Sequence, residues 1–196
     1  METVDRRINK SKNALKKALL QLMKEKAFKS ITITEIVNLA DLNRGTFYKH
    51  YSYKEDLLDD VIHDVISDLI ESYRAPYQNN TNFFQEKLSS SAIKLFDHVA
   101  QYADFYTIII NSNGLPGFQQ KICDVLKEVA IHDQLIENKN TDIDYQISAS
   151  YQSYALFGMI VEWVKGGFKY TPPYMAEQLI KILSSNQFWE GEESKV

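Results

Sequence analysis

Residues 32–54 read TITEIVNLADLNRGTFYKHYSYK, and this stretch decides how the rest of the chain is read. Thr32-x-x-Glu35 has the spacing of a capping box, which opens a helix by satisfying its first free amides. Ile33, Ile36, Val37 and Ala40 then fall on one face at helical spacing. Asp41-Leu42-Asn43 breaks that helix, and Asn43 can cap the next. The next segment, Arg44 to Tyr51, is too short and polar to be stable alone. It offers arginine, threonine, tyrosine, lysine and histidine donors around a single glycine. Two short helices and a tight turn, with donors crowded on the second helix, are the layout of a helix-turn-helix.

The block also resembles the DNA-binding domain of the TetR family of bacterial transcription regulators. The resemblance rests on Thr32-x-Thr34-x-Ile36, on Arg44-Gly45-Thr46-Phe47-Tyr48-x-His50-Tyr51, and on Lys54-Glu55-x-Leu57-Leu58. It is clear over about residues 8–60. A further segment, Tyr154-x-x-x-Gly158-x-x-x-Glu162-Trp163-x-x-x-Gly167-Phe168 with Thr171-Pro172 and Met175, resembles the C-terminal part of a Firmicutes-type subgroup. Lys49 and Tyr53 depart from the commonest family pattern, so no operator sequence carries over.

The 196 residues include 44% hydrophobic ones, enough for a sizeable core, and few turn-formers, with 7 Gly and 4 Pro. The fold expected is all-α, with about nine helices. A three-helix helix-turn-helix domain spans residues 1–53, and a helical dimerisation and effector-binding domain spans 54–196. Helices are expected at about 8–26, 33–40, 44–51, 52–73 (opened by a second capping box, Ser52-x-x-Glu55), 83–102, 105–110, 118–136, 145–168 (capped by Asp142) and 172–188. Turns are expected at 79–82 and 111–117, a polar loop at 137–141, and an acidic tail from 190. The longest apolar run, Tyr154 to Val161, is far too short to span a membrane. No signal peptide is visible, and the one cysteine, Cys123, suits a reducing compartment. The location expected is therefore cytoplasmic and nucleoid-associated, with no membrane partner.

The net charge of −4 hides an asymmetry. Residues 1–56 carry 12 Lys and Arg against 7 Asp and Glu, whereas residues 57–196 carry 10 against 19. A basic first third on an acidic remainder is expected if only the first part meets a polyanion.

In this reading Arg44, in the first turn of the recognition helix, can reach a guanine edge. Gly45 lets the backbone approach the bases. Asn43 caps the helix. The resemblance puts Thr46, Tyr48 and His50 on phosphates and Lys49 on a base or phosphate. Thr32 and Thr34 start the preceding helix and face a neighbouring phosphate, and Lys54 is expected on a flanking one. Phe47 and Tyr51 point inward.

The resemblance also implies a four-helix dimer interface from the last two helices, with Tyr154, Phe157, Gly158, Val161, Met175, Leu179 and Leu183 as its residues. It implies an apolar or aromatic effector among helices 4 to 8, with Phe96, Phe105, Tyr106, Phe118 and Tyr151 as candidate liners; the same rings would also suit a packed core. His63, His98, His132 and Cys123 lack close metal-ligand spacing. Asp59, Asp60 and Asp64 read as a solvated acidic face. No catalytic signature appears, so no enzyme activity, metal or cofactor is expected. The function expected is a homodimeric, ligand-responsive repressor on a palindromic operator. Two alternatives stay open: a regulator or coactivator without an effector, and a helical adaptor or enzyme that has lost DNA binding.

Overall fold

The computed structural model describes residues 2–74, 84–111, 118–137 and 143–185, in nine α-helices and one short 3-10 turn and without a strand. The helices are α1 (Glu2–Glu25), α2 (Ile33–Leu39), α3 (Arg44–Tyr48), α4 (Lys54–Arg74), α5 (Phe84–Gln101), α6 (Ala103–Asn111), α7 (Phe118–Glu137), α8 (Tyr145–Lys165) and α9 (Pro172–Ser185), with the 3-10 turn at Phe28–Ser30. The expected turn at 79–82, most of the loop at 111–117 and of the loop at 137–141, the end of the last helix beyond 185 and the acidic tail lie outside the described residues.

The chain divides into two compact units. The first holds α1 to α3, α4 as far as Ile66, and α6 from Asp104; the second holds α4 from Ser67, α5, α7 from Gln119, α8 and α9. The division thus falls inside α4 rather than at residue 53. In the first unit Leu15 and Leu19 of α1, Ile36 of α2, Phe47 of α3 and Leu57 of α4 are fully buried together with Phe105 and Tyr106 of α6. In the second, Phe96 and Val99 of α5, Ile122 of α7 and Ile160 of α8 form the centre.

Local chemistry sets the helix ends. The Thr32–Glu35 capping box is present in both directions. The start of α4 differs from expectation: Asp56 Oδ2 accepts from the amides of Ser52 and Tyr53, both at 2.9 Å, so the acidic cap is Asp56 and α4 begins two residues later. Asp144, not Asp142, caps α8, accepting from Gln146 N and Ile147 N. Helices α2 and α8 end alike. In α2, Leu42 N donates to Val37 O and Asp41 N to Asn38 O. In α8, Phe168 N donates to Trp163 O and Gly167 N to Val164 O. Both are Schellman motifs, which need a left-handed residue just past the helix. In α8 that residue is Gly167, at φ 67°, and the Phe168 ring closes on Trp163 at 5.0 Å.

In α2 the left-handed position is held by Asp41, at φ 53°. A left-handed conformation costs an L-residue about 1–2 kcal/mol, and a glycine costs about 0.4–1 kcal/mol through the freer unfolded chain. Relief outweighs that cost, so Asp41→Gly should stabilise by up to about 1 kcal/mol, whereas Asp41→Val should destabilise. Chemical denaturation of both variants checks the order; a less stable glycine variant would show that Asp41 does more than fill the turn.

Candidate DNA-binding surface

Helix α3 has only five residues, and it is held from both ends. At its start Asn43 Oδ1 accepts from Thr46 N (2.8 Å) and from Thr46 Oγ1 (3.1 Å). A Cβ on Gly45 would lie 3.2 Å from that same Oδ1. Gly45 therefore keeps room for the cap as well as for an approaching base. At its end Phe47 is fully buried and Tyr51 is 6% exposed, their rings 5.7 Å apart. These anchors supply the stability that a single helical turn lacks.

What the helix presents outward is Arg44, Tyr48 and Lys49, all exposed. Arg44 lies back over the Tyr48 ring, 5.9 Å from its centre, and donates to Tyr48 Oη at 3.3 Å. The guanidinium is thus parked on an aromatic face. His50 is half-buried, its ring edge-on to Tyr51. Thr34 is exposed, while the Thr32 hydroxyl is engaged with Glu35. Tyr53, 68% exposed, stands at the foot of α4 beside this set.

Lys54 sits elsewhere than expected. Its ammonium donates to the carbonyls of Phe28 (2.9 Å), Lys29 (3.0 Å) and Ile31 (2.7 Å) and lies 4.8 Å from the Phe28 ring centre. A lysine has three N–H donors, and all three are used inside the protein.

The acidic run on α4 is not a purely solvated face. Asp60 Oδ2 accepts from Tyr51 Oη at 2.6 Å and pairs with Lys16 at 3.1 Å and Lys12 at 3.2 Å. Lys16 also reaches Asp64 at 2.5 Å. Partial burial pushes the Asp60 carboxyl up, but the bonds from Tyr51, Lys16 and Lys12 outweigh it and hold it at about 2. Burial, then the same bond to Asp60, pushes the Tyr51 hydroxyl well above its usual range. Glu35 is likewise held at about 2, first by the Lys26 ammonium and then by Thr32.

Two sequence profiles match this chain. Residues 15–61 match "Bacterial regulatory proteins, tetR family", and residues 86–185 match "Transcriptional regulator C-terminal region", a TetR-type C-terminal domain. The chain belongs to the TetR family of transcription regulators. It is 24% identical over 188 residues to the uncharacterized HTH-type transcriptional regulator YxbF of Bacillus subtilis (strain 168), covering 94% of this chain. The chain spans about half of that relative's length, 47%. Among solved structures it is similar to a TetR transcriptional regulator from Streptococcus agalactiae 2603V, with a TM-score of 0.64 and 21% identity over 92% of this chain and 97% of that one. It is also similar to the transcriptional regulator FadR from Bacillus subtilis in complex with stearoyl-CoA, with a TM-score of 0.68 and 17% identity over 87% and 96%. Regulators of the TetR family bind DNA and dimerise.

The remaining expected residues of this TetR-type chain divide by burial. On α8, Ile147 (69%), Tyr151 (67%), Tyr154 (46%) and Gly158 are exposed at i, i+4, i+7 and i+11, a single helical stripe. A Cβ on Gly158 would meet nothing within 4 Å. Val161, Leu179 and Leu183 are half-buried. Phe157 and Met175, expected at the dimer face, are instead buried within the protomer, at 7% and 8% exposure, and have little area left to offer a partner. Among the expected pocket liners, Phe105 packs against Tyr106 and Phe118 in the first unit, at 5.6 and 5.5 Å. Phe96 packs against Trp163 in the second, at 5.6 Å. Tyr151 faces outward on the α8 stripe. A groove of about 360 Å3 in the second unit lies instead along α5 and α9, lined by Ile93, Pro173, Ala176 and Ile180 with Glu177 and Lys181. His98 is buried, bonded to Asp68 at 2.8 Å and close against the Tyr102 ring; burial pushes its imidazole down, against the opposing pull of Asp68. Cys123 is buried in the same unit, its thiol raised by burial, while His63 is exposed and the side chain of His132 lies outside the described residues. No cluster able to hold a metal occurs among the described residues, and no described helix is long and apolar enough to cross a membrane.

Asp60 gives a pH prediction with a definite sign. Its folded value, about 2, lies below its ordinary 3.8, so its stabilisation is complete above pH 4 and is lost as pH falls toward 2. The difference corresponds to about 2 kcal/mol. Asp60→Asn should lose about that much at pH 7 and show a flatter acid limb in urea unfolding at stepped pH. Parallel limbs in wild type and variant would remove Asp60 as the cause.

Proposed function

We propose that this protein is a homodimeric repressor that binds a palindromic operator, one α3 entering the major groove at each half-site. The observation that carries this reading is the outward trio of Arg44, Tyr48 and Lys49 on a helix locked beneath by Asn43, Phe47 and Tyr51. A rigid, short, basic helix is suited to reading a few base edges and too small to specify a unique site alone. Two copies supply the rest. Arg44 takes the guanine edge, and Thr34, Tyr48, His50 and Lys49 hold the backbone. Dimerisation uses the exposed stripe of α8 from Ile147 to Gly158, together with Leu179 and Leu183 of α9. The protein then works on the nucleoid in the cytoplasm.

The effector in this reading is an apolar or aromatic small molecule. Support comes from the ring-rich helices α5 to α8 and from FadR, a protein of the same fold that was crystallised with stearoyl-CoA. The ligand acts by preferring the state with misplaced recognition helices, and its effect on DNA equals its differential affinity for the two states. A second reading, a regulator with no small-molecule effector, is favoured by one observation: Phe96, Phe105, Tyr106 and Phe118 are each at most 4% exposed and packed on other rings. Stearoyl-CoA, shorter acyl-CoAs and flat aromatics should be titrated against the DNA complex. Release by one class supports the first reading, and indifference to all supports the second.

Selection from random DNA should yield a palindrome with half-site centres about one helical turn apart, or a multiple of it. Arg44→Ala should cost roughly 1–3 kcal/mol and relax preference at one base pair per half-site. Asymmetric single half-sites would contradict the dimeric reading.

For the interface, Tyr151→Lys or Gly158→Glu should give folded monomers by light scattering, since both positions are exposed in the single chain. A charge at Phe157 or Met175 should instead unfold the protomer, because burying an unpaired charge costs several kcal/mol. Undiminished dimers from both exposed-face variants would place the interface elsewhere.

A further inference from the structure

Helix α1 begins well before the core does. Its first buried residue among those described is Leu15, and Arg6, Arg7, Ile8, Asn9 and Lys10 are all exposed. The residues that match the family's DNA-binding profile start only at 15. A solvated stretch of helix is marginal by itself, so these turns add little to the stability of the unit. Their cations also differ from others on the same helix. Lys12, Lys16 and Lys24 each pair with a carboxylate on another helix, those of Asp60, Asp64 and Asp104. Arg6, Arg7 and Lys10 make no side-chain hydrogen bond or ion pair with a described residue. Arg6 and Arg7 lie four and three residues before Lys10, so the three crowd one face. The carboxylates of the stretch 2–12 are Glu2 and Asp5, against Arg6, Arg7, Lys10 and Lys12, and its charge stays positive.

The ion pairs of α1 fix where this face stands. Lys12 meets Asp60 and Lys16 meets Asp64, each pair 48 residues apart, so α1 and α4 run side by side in the same direction. The same offset sets Arg6 level with Lys54, the first residue of α4. Lys12 also lies 5.4 Å from the centre of the Tyr51 ring, which meets the His50 ring. From Lys12 back to Arg6 a helix rises about 9 Å. The basic turns therefore reach beyond Tyr51, to the end of the unit where α3 gives way to α4.

We propose that Arg6, Arg7 and Lys10 form a second DNA contact, on the backbone phosphates that flank each half-site beyond the bases read by α3. The inference rests on the DNA-binding reading above and extends it by one surface. Phosphate is the chemistry these groups suit: a guanidinium fork takes two phosphate oxygens at once, and an ammonium serves as a point charge. No base edge is touched, so the contact adds affinity and not sequence preference.

The test uses the full-length protein on the palindrome selected for it, either trimmed to the bases it specifies or extended by about one helical turn of arbitrary DNA at each end. The variants are Arg6→Gln, Arg7→Gln and Lys10→Gln combined, Lys10→Gln alone, and Lys17→Gln alone. All four positions are exposed, so the fold is kept. On the extended DNA the triple variant should bind more weakly. Its slope of log K against log salt should be shallower by about 1.8 or more, for at least one phosphate lost from each protomer. On the trimmed DNA it should match the wild type, and its base preferences in a selection should be unchanged. Lys10→Gln should weaken binding to the extended DNA, whereas Lys17→Gln, about 10 Å further along the helix, should not. Ethylation of the flanking phosphates should interfere with the wild type and leave the triple variant indifferent. An unchanged slope on the extended DNA, losses that are equal on both DNAs, or equal losses from Lys10→Gln and Lys17→Gln overturn the proposal and leave α3 as the reader. A wild type that retains no DNA at low salt overturns the underlying reading, and the proposal with it.

Discussion

A single carboxylate, Asp60, holds the helix-turn-helix to its support. It gathers a phenol from the end of the recognition segment, two ammonium groups from α1 and its own helix α4. The five-residue α3 cannot supply its own stability, so its orientation is set by whatever grips its far end. Tyr51 is that grip: its ring is in the core and its hydroxyl is on Asp60. Burial works against the charge, and the bonds from Tyr51, Lys16 and Lys12 together outweigh it. Removing any one donor therefore leaves the carboxylate undersupplied, and the recognition helix loses its fixed reference.

Asp64 and Asp68 continue the same row at intervals of four residues, one pairing with Lys16 and the other with His98. One face of α4 thus consists of carboxylates that each answer a cation or imidazole on another helix, while its opposite face supplies Leu57, Leu58, Val61, Val65 and Leu69 to the cores. The helix is amphipathic in a particular sense: part of its polar side, at Asp60, Asp64 and Asp68, is bonded to groups on other helices.

The parts legible from sequence are those decided within four or five residues. The Thr32–Glu35 box, the Asn43 cap and the inward Phe47 and Tyr51 all follow from spacing alone, and the two short helices formed where the spacing put them. Competing local signals were harder. Ser52-x-x-Glu55 fits a capping box, but Asp56, one residue further into the helix, takes both amides. Asp41 holds a left-handed position that sequence assigns most readily to glycine, so the turn looked merely broken when it is a defined motif. Pairings across 48 residues, such as Lys16 with Asp64, or across about 25, such as Lys54 with the 3-10 turn, leave no local trace. Periodicity places a side chain on a face without saying what covers it. The same ambiguity attaches to Phe157 and Met175, which are buried within the single chain, since an apolar residue on a helix next to an interface can serve the core or the partner equally well.

The tryptophans carry a practical consequence. Trp163 is 3% exposed, donates through Nε1 to the Tyr170 carbonyl, and is boxed by Phe96 and Phe168. The other tryptophan of the chain, Trp189, lies outside the described residues. The helix-turn-helix unit contains none. The emission of Trp163 is therefore an optical report on the packing of α5 with α8 and the turn that follows it, and is blind to whether α2 and α3 are folded. A melting curve followed at tryptophan wavelengths would register one unit while the other opened silently. Agreement between that curve and one followed by backbone dichroism is what two-state behaviour requires, and here the first probe watches one unit while the second averages over the helices of both.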